Sequence, residues 1–308
     1  MNTSTIGEAA TEAKTRVRIE RILCPVDFSQ CSVNAYNYAQ SIAGHYGAKL
    51  LVQHTVELSL YPSAFYCPSP ELFDDFRQKL IANGQDDLQK FVKASGGAQP
   101  ECIVQESLAA DAILLLARER AVSLIVLGTH GRRGIDRLML GSVTERILRN
   151  ASCPVLAVRQ EPAGSGAPEA TELPVAIRQI LCCVDFSAHS ERALAYALSL
   201  ASAYDADLTV LHVLDGIPES ANVATETDTA IENLEKLFPR SAPRSAKIHL
   251  EVRLGKAYQQ ILQFASDAKS DVIVAGVRGR HALDFAVFGS TIYRVIQLGS
   301  NPVLAVPI

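Results

Sequence analysis

The chain has 308 residues, of which 48% are hydrophobic and 20% charged, and this balance suffices for two globular domains. Its net charge of −4 argues against a protein that binds nucleic acids or membranes through bulk charge. No apolar run approaches the roughly 20 residues that cross a bilayer. Residues 1–17 are polar and predict a flexible tail that is not a signal peptide. The seven cysteines lack CxxC spacing, which indicates reduced thiols in a cytoplasm rather than a disulfide framework or a zinc ribbon.

Residues 18–159 predict one domain in which strands alternate with helices. Strands are predicted at residues 21–29 (with a polar turn at the end), 49–56, 101–105, 124–127 and 154–158. Helices are predicted from Ser29 or Ser32 to Tyr46 and at residues 71–93, 111–120 and 142–150, with a loop at 59–70. Strands that alternate with helices indicate a parallel sheet covered on both faces.

The same pattern begins again after a linker. Residues 160–175 contain three prolines and few large apolar residues, which is typical of a linker. Strand and turn residues recur 158 positions later, and the later glycine motif recurs after 148, so ten residues are lost between these features. The proline-rich and aromatic loop 59–70 is the expected source of the difference. The sequence therefore predicts a duplicated α/β domain, over 18–159 and 176–308, rather than a solenoid of small repeats.

A glycine motif follows the fourth predicted strand of each half. Its spacing is G-x2-G-x9-G-S, formed by Gly128, Gly131, Gly141 and Ser142, and again by Gly276, Gly279, Gly289 and Ser290. A strand, a glycine loop and a helix start bring free N–H groups and the positive end of a helix dipole together, which suits a phosphate. Glycine would leave the backbone open to a ligand and permit positive φ. The alternative is a tight turn that merely needs glycines. This interpretation is less favoured because the motif occurs twice with the same spacing.

Asp27 and Asp185 follow the first strand of each half, at the edge where open α/β sheets bind ligands. Their carboxylates could accept hydrogen bonds from an adenine amino group or a ribose, or help hold Mg²⁺. The alternative is an aspartate that bonds its own turn. Ser142 also has two interpretations, because Ser142 and Glu145 match a capping box that needs no ligand. Tyr293 stands where the second half would need that glutamate.

Basic side chains adjoin both glycine loops and could pair with phosphate oxygens, although a solvated loop is the better interpretation of any single arginine. They are His130, Arg132 and Arg133 in the first half, and Arg278, Arg280 and His281 in the second. His54 and His212 end apolar strands, and we expect them to be packed or hydrogen-bonded rather than catalytic.

Each half resembles the universal stress protein family. The resemblance lies in Ile-Leu-Cys-Pro-Val-Asp-Phe-Ser at the first strand, in His-Thr-Val closing the second, in the glycine motif and in Cys-Pro-Val-Leu-Ala-Val at the end. It implies two tandem Rossmann-like domains of the adenine nucleotide α-hydrolase-like type, each a five-stranded parallel sheet with helices on both faces, which pair with each other. It also implies ATP binding, which is a property of the branch of the family that carries the glycine signature.

The resemblance further implies that Thr55 and Val213 pack on the adenine, and that Val143 and Thr144 contact phosphate or ribose. The complete predicted nucleotide site consists of Pro25, Asp27, Thr55, Gly128, Gly131, Arg132, Gly141, Ser142, Val143, Thr144, Asp185, Val213, Gly276, Gly279, Arg280, Gly289, Ser290 and Thr291. The halves differ at several of these positions, as at Pro25 and Cys183, and we expect the first half to bind ATP better.

The leading functional expectation is a cytoplasmic ATP-binding stress protein that senses or signals. ATP hydrolysis should be slow or absent, because the glycine loop supplies no evident general base. The alternative is a nucleotide-independent interaction module, in which the halves pair through residues 154–158 and 302–306 and whole chains could form a homodimer. A third reading, an adenylylating enzyme, would need a Ser-Gly-Gly-x-Asp type loop or a further domain, and the sequence has neither.

Overall fold

The computed structural model describes residues 17–60, 69–96, 99–130, 140–159, 175–216, 222–238, 247–277 and 289–307. It divides into two compact units, of which one covers Ile19–Val175 and the other Ala176–Ile308 together with Met1–Arg18. Val17 belongs with the second unit because its N–H donates to Ser199 Oγ at 3.2 Å. Within the described residues, no helix has the length and apolar character needed to span a membrane.

The first unit is a parallel five-stranded sheet in the order β3-β2-β1-β4-β5. Its strands are β1 (Arg21–Pro25), β2 (Lys49–Val56), β3 (Glu101–Glu106), β4 (Leu124–Gly128) and β5 (Val155–Val158). Its helices are α1 (Gln30–Tyr46), α2 (Pro70–Ser95), α3 (Ala109–Glu119) and α4 (Ser142–Asn150), with a short 3-10 turn at Leu58–Leu60. All five predicted strands and all four predicted helices are therefore present, with ends that shift by a few residues.

The second unit repeats this arrangement in the order β8-β7-β6-β9-β10, again with every pairing parallel. Its strands are β6 (Gln179–Cys183), β7 (Asp207–Leu214), β8 (Ile248–Leu254), β9 (Val272–Gly276) and β10 (Val303–Val306). Its helices are α5 (Ala188–Tyr204), α6 (Val223–Lys236), α7 (Ala257–Asp267) and α8 (Ser290–Leu298). The predicted fold class, two tandem Rossmann-like α/β domains, is confirmed.

The centre of each sheet is apolar along consecutive residues. In the first unit Leu23, Cys24 and Val126 are completely buried, and in the second Leu181 and Cys182 are. Neighbouring residues of a strand point to opposite faces, so burial of both requires helices on both sides of the sheet.

Helix α1 begins where the side chain of Ser29 caps it. Ser29 Oγ accepts the N–H of Ser32 at 3.3 Å, which makes Ser29 the N-cap and decides between the two serines considered above. The helix ends at Gly47, whose φ of 63° lies in the left-handed region that favours glycine.

The ten residues that the first half has in excess lie between β2 and β3, but not where the sequence suggested. Helix α2 has 26 residues and its counterpart α6 has 14. The longer helix therefore accounts for the extra residues, which the loop 59–70 alone does not explain. Helix α2 begins at Pro70 because Ser69 caps it and Pro70 takes the first position, where a missing N–H costs nothing. Residues 61–68 of the predicted loop lie outside the described residues.

Six cysteines of the described chain are free thiols, and several are buried in the two cores. Burial raises the pKa of the Cys24 and Cys182 thiols, and it raises the pKa of Cys153 to about 11. In the unfolded chain these thiols titrate near pH ~8.5. Their contribution to stability is therefore complete below that pH and is lost as the pH rises toward the folded-state pKa.

We expect the free energy of unfolding to decrease between about pH 8 and about pH 10, by at most about 1.4 kcal/mol per pH unit for each buried thiol. Urea denaturation at the two pH values measures this decrease. The Cys153→Ala variant has one such thiol fewer and should show a smaller decrease. A variant that loses as much stability as the unaltered chain would contradict the assignment to that thiol.

Candidate functional site

The turn after the first strand and the loop after the fourth strand lie at the same edge of each sheet. Strand β1 pairs directly with β4, as Ile22 does with Leu124, and both strands end at this edge because they are parallel. Ser29 Oγ also lies 3.5 Å from the His130 carbonyl oxygen, which brings the turn against the loop in the first half. Strand β6 pairs with β9 in the same way. This is the edge at which open α/β sheets bind their ligands.

The glycine loop of the first half is closed by one backbone hydrogen bond. Thr129 is fully buried, its N–H donates to Val158 O at 2.9 Å, and its carbonyl accepts the Gly141 N–H at 3.0 Å. The Gly141 N–H therefore has an acceptor and does not serve a ligand. The first helical bond of α4 runs from Glu145 N–H to Gly141 O at 2.9 Å.

The second half closes its loop in the same way. Val277 N–H donates to Val306 O at 3.1 Å, and Val277 O accepts the Gly289 N–H at 3.0 Å. Helix α8 then begins with the bond from Tyr293 N–H to Gly289 O at 3.0 Å.

Each closure brings the start of a helix to the edge of the sheet, and the first three helical residues have no intrahelical acceptor for their N–H groups. Among the described residues these N–H groups have no other acceptor either; they belong to Ser142, Val143 and Thr144 in α4, and to Ser290, Thr291 and Ile292 in α8. Three adjacent donors and the positive end of the helix dipole make each helix start suited to an anion.

Gly128 is required by packing. A Cβ at Gly128 would lie 2.7 Å from Cys31 Cβ and 2.9 Å from the Cys31 carbonyl carbon. A Cβ at Gly276 would lie 2.7 Å from His189 Cβ and 2.8 Å from its carbonyl carbon. In both halves the first turn of the helix after the first strand lies against the end of the fourth strand. The space that a side chain at Gly128 or Gly276 would occupy is therefore filled by this helix.

Gly141 is also tightly placed, since a Cβ there would lie 3.0 Å from Thr129 O. Its φ of −61° and the φ of −56° at Gly289 can be adopted by any residue, so neither position needs glycine for its backbone conformation. Six predicted residues of the glycine loops lie outside the described residues, namely Gly131, Arg132, Arg133, Arg278, Gly279 and Arg280, as does His281.

The capping-box interpretation of Ser142 is wrong. Ser142 is the first helical residue of α4, the N-cap is Gly141, and no side chain caps the helix. A capping serine must stand one residue earlier, in extended backbone. Glu145 bonds Arg149 instead, with 2.7 Å between Oε1 and the Arg149 guanidinium nitrogen. Ser142 and its counterpart Ser290 are both exposed at the first helical position.

Asp27 bonds its own turn, as the alternative interpretation proposed. Its Oδ1 accepts the Ser29 N–H at 3.1 Å and the Ser29 O–H at 2.6 Å. Asp185 accepts from Ser187 at the same two distances. These bonds use one carboxylate oxygen, Oδ1, in each half, and they set the orientation of the carboxylate at the edge of the sheet.

The residue after each aspartate has an uncommon backbone conformation that the sequence analysis missed. Phe28 has φ of 64° and Phe186 has φ of 60°, both in the left-handed region. This conformation costs a bulky L-residue roughly 1–2 kcal/mol. Each ring packs on a histidine, with 4.4 Å between the ring centroids of Phe28 and His54 and 4.5 Å between those of Phe186 and His212. The expectation that these histidines are packed is confirmed.

The other predicted residues are distributed along the same edge. Thr144 is buried and its hydroxyl donates to Gly128 O at 3.0 Å, so it anchors α4 to the end of β4. The matching residue of the second half is the buried Ile292. Thr55 lies on β2 beside Gln105 of β3. Val213 occupies the same register position on β7, and half-buried Pro25 ends β1. Within the described residues, no group of three or more His, Cys, Asp or Glu could hold a metal ion.

The family model described as "Universal stress protein family" matches residues 18–159 and 176–307. The chain belongs to the universal stress protein family. It is 32% identical over 143 residues to a universal stress protein of Methanocaldococcus jannaschii, a match that covers 46% of this chain and 82% of the relative. It is 31% identical over 229 residues to a universal stress protein of Mycobacterium tuberculosis, covering 71% of this chain and 73% of the relative.

A solved universal stress protein from Archaeoglobus fulgidus has the same fold, with a TM-score of 0.64 and 19% sequence identity. That match covers 95% of this chain and 98% of the other. Two tandem universal stress protein domains therefore account for nearly all of the chain.

Proposed function

We propose that this universal stress protein binds ATP at the carboxyl edge of each sheet, with the triphosphate at the starts of α4 and α8. One observation carries the proposal. Both halves close the glycine loop with the same backbone bond, from Gly141 N–H to Thr129 O and from Gly289 N–H to Val277 O, at 3.0 Å each. The closure holds three backbone donors of the following helix at this edge in each half, and a polyphosphate is the nucleotide group that such donors attract.

The remaining parts of the nucleotide have candidate partners near the same edge. Asp27 and Asp185 are oriented by their turns, and a carboxylate there can accept hydrogen bonds from a ribose or from the adenine amino group. Thr55 and Val213 supply the strand positions expected to pack on the adenine. Arg132 and Arg280 of the glycine loops, with Mg²⁺ as counter-ion, would balance the phosphate charge.

We infer that the protein acts as a cytoplasmic ATP-dependent sensor or signalling protein in the stress response, with weak ATPase activity or none. Hydrolysis needs a base within hydrogen-bonding reach of the attacking water. Asp27 is a carboxylate of the first-half turn, but it accepts the Ser29 N–H and O–H and we assign it to the ribose or the adenine rather than to the attacking water. The second candidate, a nucleotide-independent interaction module, would use the same fold with both sites empty.

A negative charge introduced at the start of α4 should weaken ATP binding while stabilising the helix, so it distinguishes a loss of binding from a loss of folding. Ser142 is exposed at the first position of α4, where a negative charge stabilises a helix by about 0.3–1 kcal/mol. The same charge about 4 Å from a phosphate repels it by roughly 1–4 kcal/mol. We therefore expect Ser142→Asp to weaken ATP binding by about tenfold or more without lowering the melting temperature.

Isothermal titration calorimetry with ATP measures the affinity, and mass spectrometry of the purified protein detects retained nucleotide. Ser142→Asn, which has nearly the same size and no charge, is the matched control, and Ser290→Asp is the equivalent change in the second half. If the unaltered protein binds no ATP, or if the double variant Ser142→Asp/Ser290→Asp binds it unchanged, the proposal is wrong and the interaction module is favoured.

A further inference from the structure

We propose that His54 and His212 are positioning residues of the two ATP sites, each holding the strained turn that orients the aspartate carboxylate. The inference rests on the proposed function and adds to it the two residues that hold Asp27 and Asp185 in position. Each histidine acts on the aspartate through the two residues that flank it, the valine before and the phenylalanine after.

The first contact is a hydrogen bond to the valine carbonyl. His54 Nδ1 lies 2.9 Å from Val26 O, and His212 Nδ1 lies 2.7 Å from Val184 O. A carbonyl oxygen can only accept, so Nδ1 carries the hydrogen in both rings. This bond holds the peptide that leads into the aspartate.

The strand that carries each histidine holds the other side of the same valine. Val26 N–H donates to Gln53 O at 2.8 Å, and Val184 N–H donates to Leu211 O at 2.9 Å. Consecutive residues of β2, Gln53 and His54, therefore bind both backbone groups of Val26. The residue before Asp27 cannot turn independently of β2.

The second contact is the packing of the histidine ring against the phenylalanine. Phe28 and Phe186 hold their left-handed conformation with a ring centroid 4.4 Å and 4.5 Å from that of the histidine. A phenylalanine released from this packing would return to negative φ, because the left-handed region is unfavourable for it. That rotation would turn the peptide after the aspartate and move its carboxylate away from the Ser29 N–H in the first half.

The second half supplies independent support, because several residues near its turn differ from those of the first half. Cys183 replaces Pro25, Leu211 replaces Gln53 and Ile292 replaces Thr144. The histidine, aspartate, phenylalanine and serine are nevertheless retained, and the bond from His Nδ1 to the valine carbonyl differs by only 0.2 Å between 2.9 Å and 2.7 Å. If the ring only filled space, an imidazole with Nδ1 bonded to the equivalent valine carbonyl would not be needed in both halves.

The test is a double-mutant cycle between His54 and Asp27 in a Ser290→Asp background, so that ATP binding reports on the first half. We expect His54→Leu, which removes the hydrogen bond and the ring, to weaken ATP binding by about tenfold, and His54→Asn, which keeps an N–H donor, to recover part of the loss. In the presence of Asp27→Asn, His54→Leu should cause no further loss, because the histidine acts through that carboxylate. His45→Leu, at the exposed end of α1, is the control for loss of an imidazole.

Hydrogen exchange of the Ser29 amide, measured by NMR, reports on the turn without any nucleotide. We expect exchange to become about tenfold faster in His54→Leu and to change little in His45→Leu. An equal loss of ATP affinity with and without Asp27→Asn, or unchanged exchange at Ser29, overturns the positioning role. If the unaltered protein binds no ATP, the proposed function fails, and Ser29 exchange still decides whether His54 holds the turn.

Discussion

Replacing Gly128 by alanine should lower the free energy of unfolding by about 3 kcal/mol, at the upper end of the range for overpacked interiors. The added Cβ would stand 2.7 Å from Cys31 Cβ and 2.9 Å from the carbonyl carbon of the same residue. Backbone of the first turn of α1 cannot rotate away as a flexible side chain could. Helix and strand must therefore separate, and the adjoining core loses contacts. Urea denaturation measures the change.

The matched control is Gly44→Ala in the same helix. Apart from its own stretch of helix, no atom lies within 4 Å of the position that its Cβ would take, so alanine should stabilise the helix by roughly 0.5–1 kcal/mol. Gly276→Ala should repeat the large loss, because His189 stands where Cys31 does in the first half. A Gly128→Ala variant with unchanged stability and lost ATP binding would contradict the packing role and favour the phosphate contact that the sequence suggested for this glycine.

Replacing Gly141 by aspartate should weaken ATP binding in the first half by about a hundredfold or more, equivalent to roughly 2.7 kcal/mol. A Cβ at Gly141 lies 3.0 Å from Thr129 O, so the loop must shift to admit the side chain, and the new carboxylate adjoins the three donors of α4. Titration calorimetry with ATP measures the loss. Gly141→Ala adds the same Cβ without the charge and separates the steric part from the electrostatic part.

The same substitution in the second half tests whether the two sites differ. We expect Gly289→Asp to remove the weaker of two binding events, because the second half has Cys183 for Pro25 and a buried Ile292 for Thr144. Ile292 cannot make the bond by which the Thr144 hydroxyl anchors α4 to Gly128 O at 3.0 Å. Equal losses of ATP affinity in Gly141→Asp and Gly289→Asp would contradict the difference between the halves.

The order of strands and helices could be predicted from the sequence because each element has a strong local pattern. The apolar run at β4 is one example, and the Ser29 cap followed by the helical spacing of α1 is another. Repetition at fixed offsets then predicted the duplication. The source of the ten extra residues was misplaced, because α2 was predicted at nearly its full length but the shorter length of its counterpart α6 was not predicted.

The candidate site was predicted less well, because its geometry depends on contacts between distant residues. The sequence cannot say that the backbone of Cys31 lies against Gly128, so the packing role of this glycine was not predicted. The capping box failed by one residue, which is the ordinary uncertainty of a helix start. The left-handed Phe28 has no sequence signal at all, since phenylalanine is disfavoured there, and only its contact with His54 reveals it.

The closure of the glycine loop has a consequence for engineering. Because the bond from Gly141 N–H to Thr129 O fixes both ends of the intervening segment, its length is uncoupled from the register of α4 on the sheet. Doubling the length of a closed segment costs only about 0.6 kcal/mol. We therefore expect residues inserted after His130 to leave the start of α4 where it is.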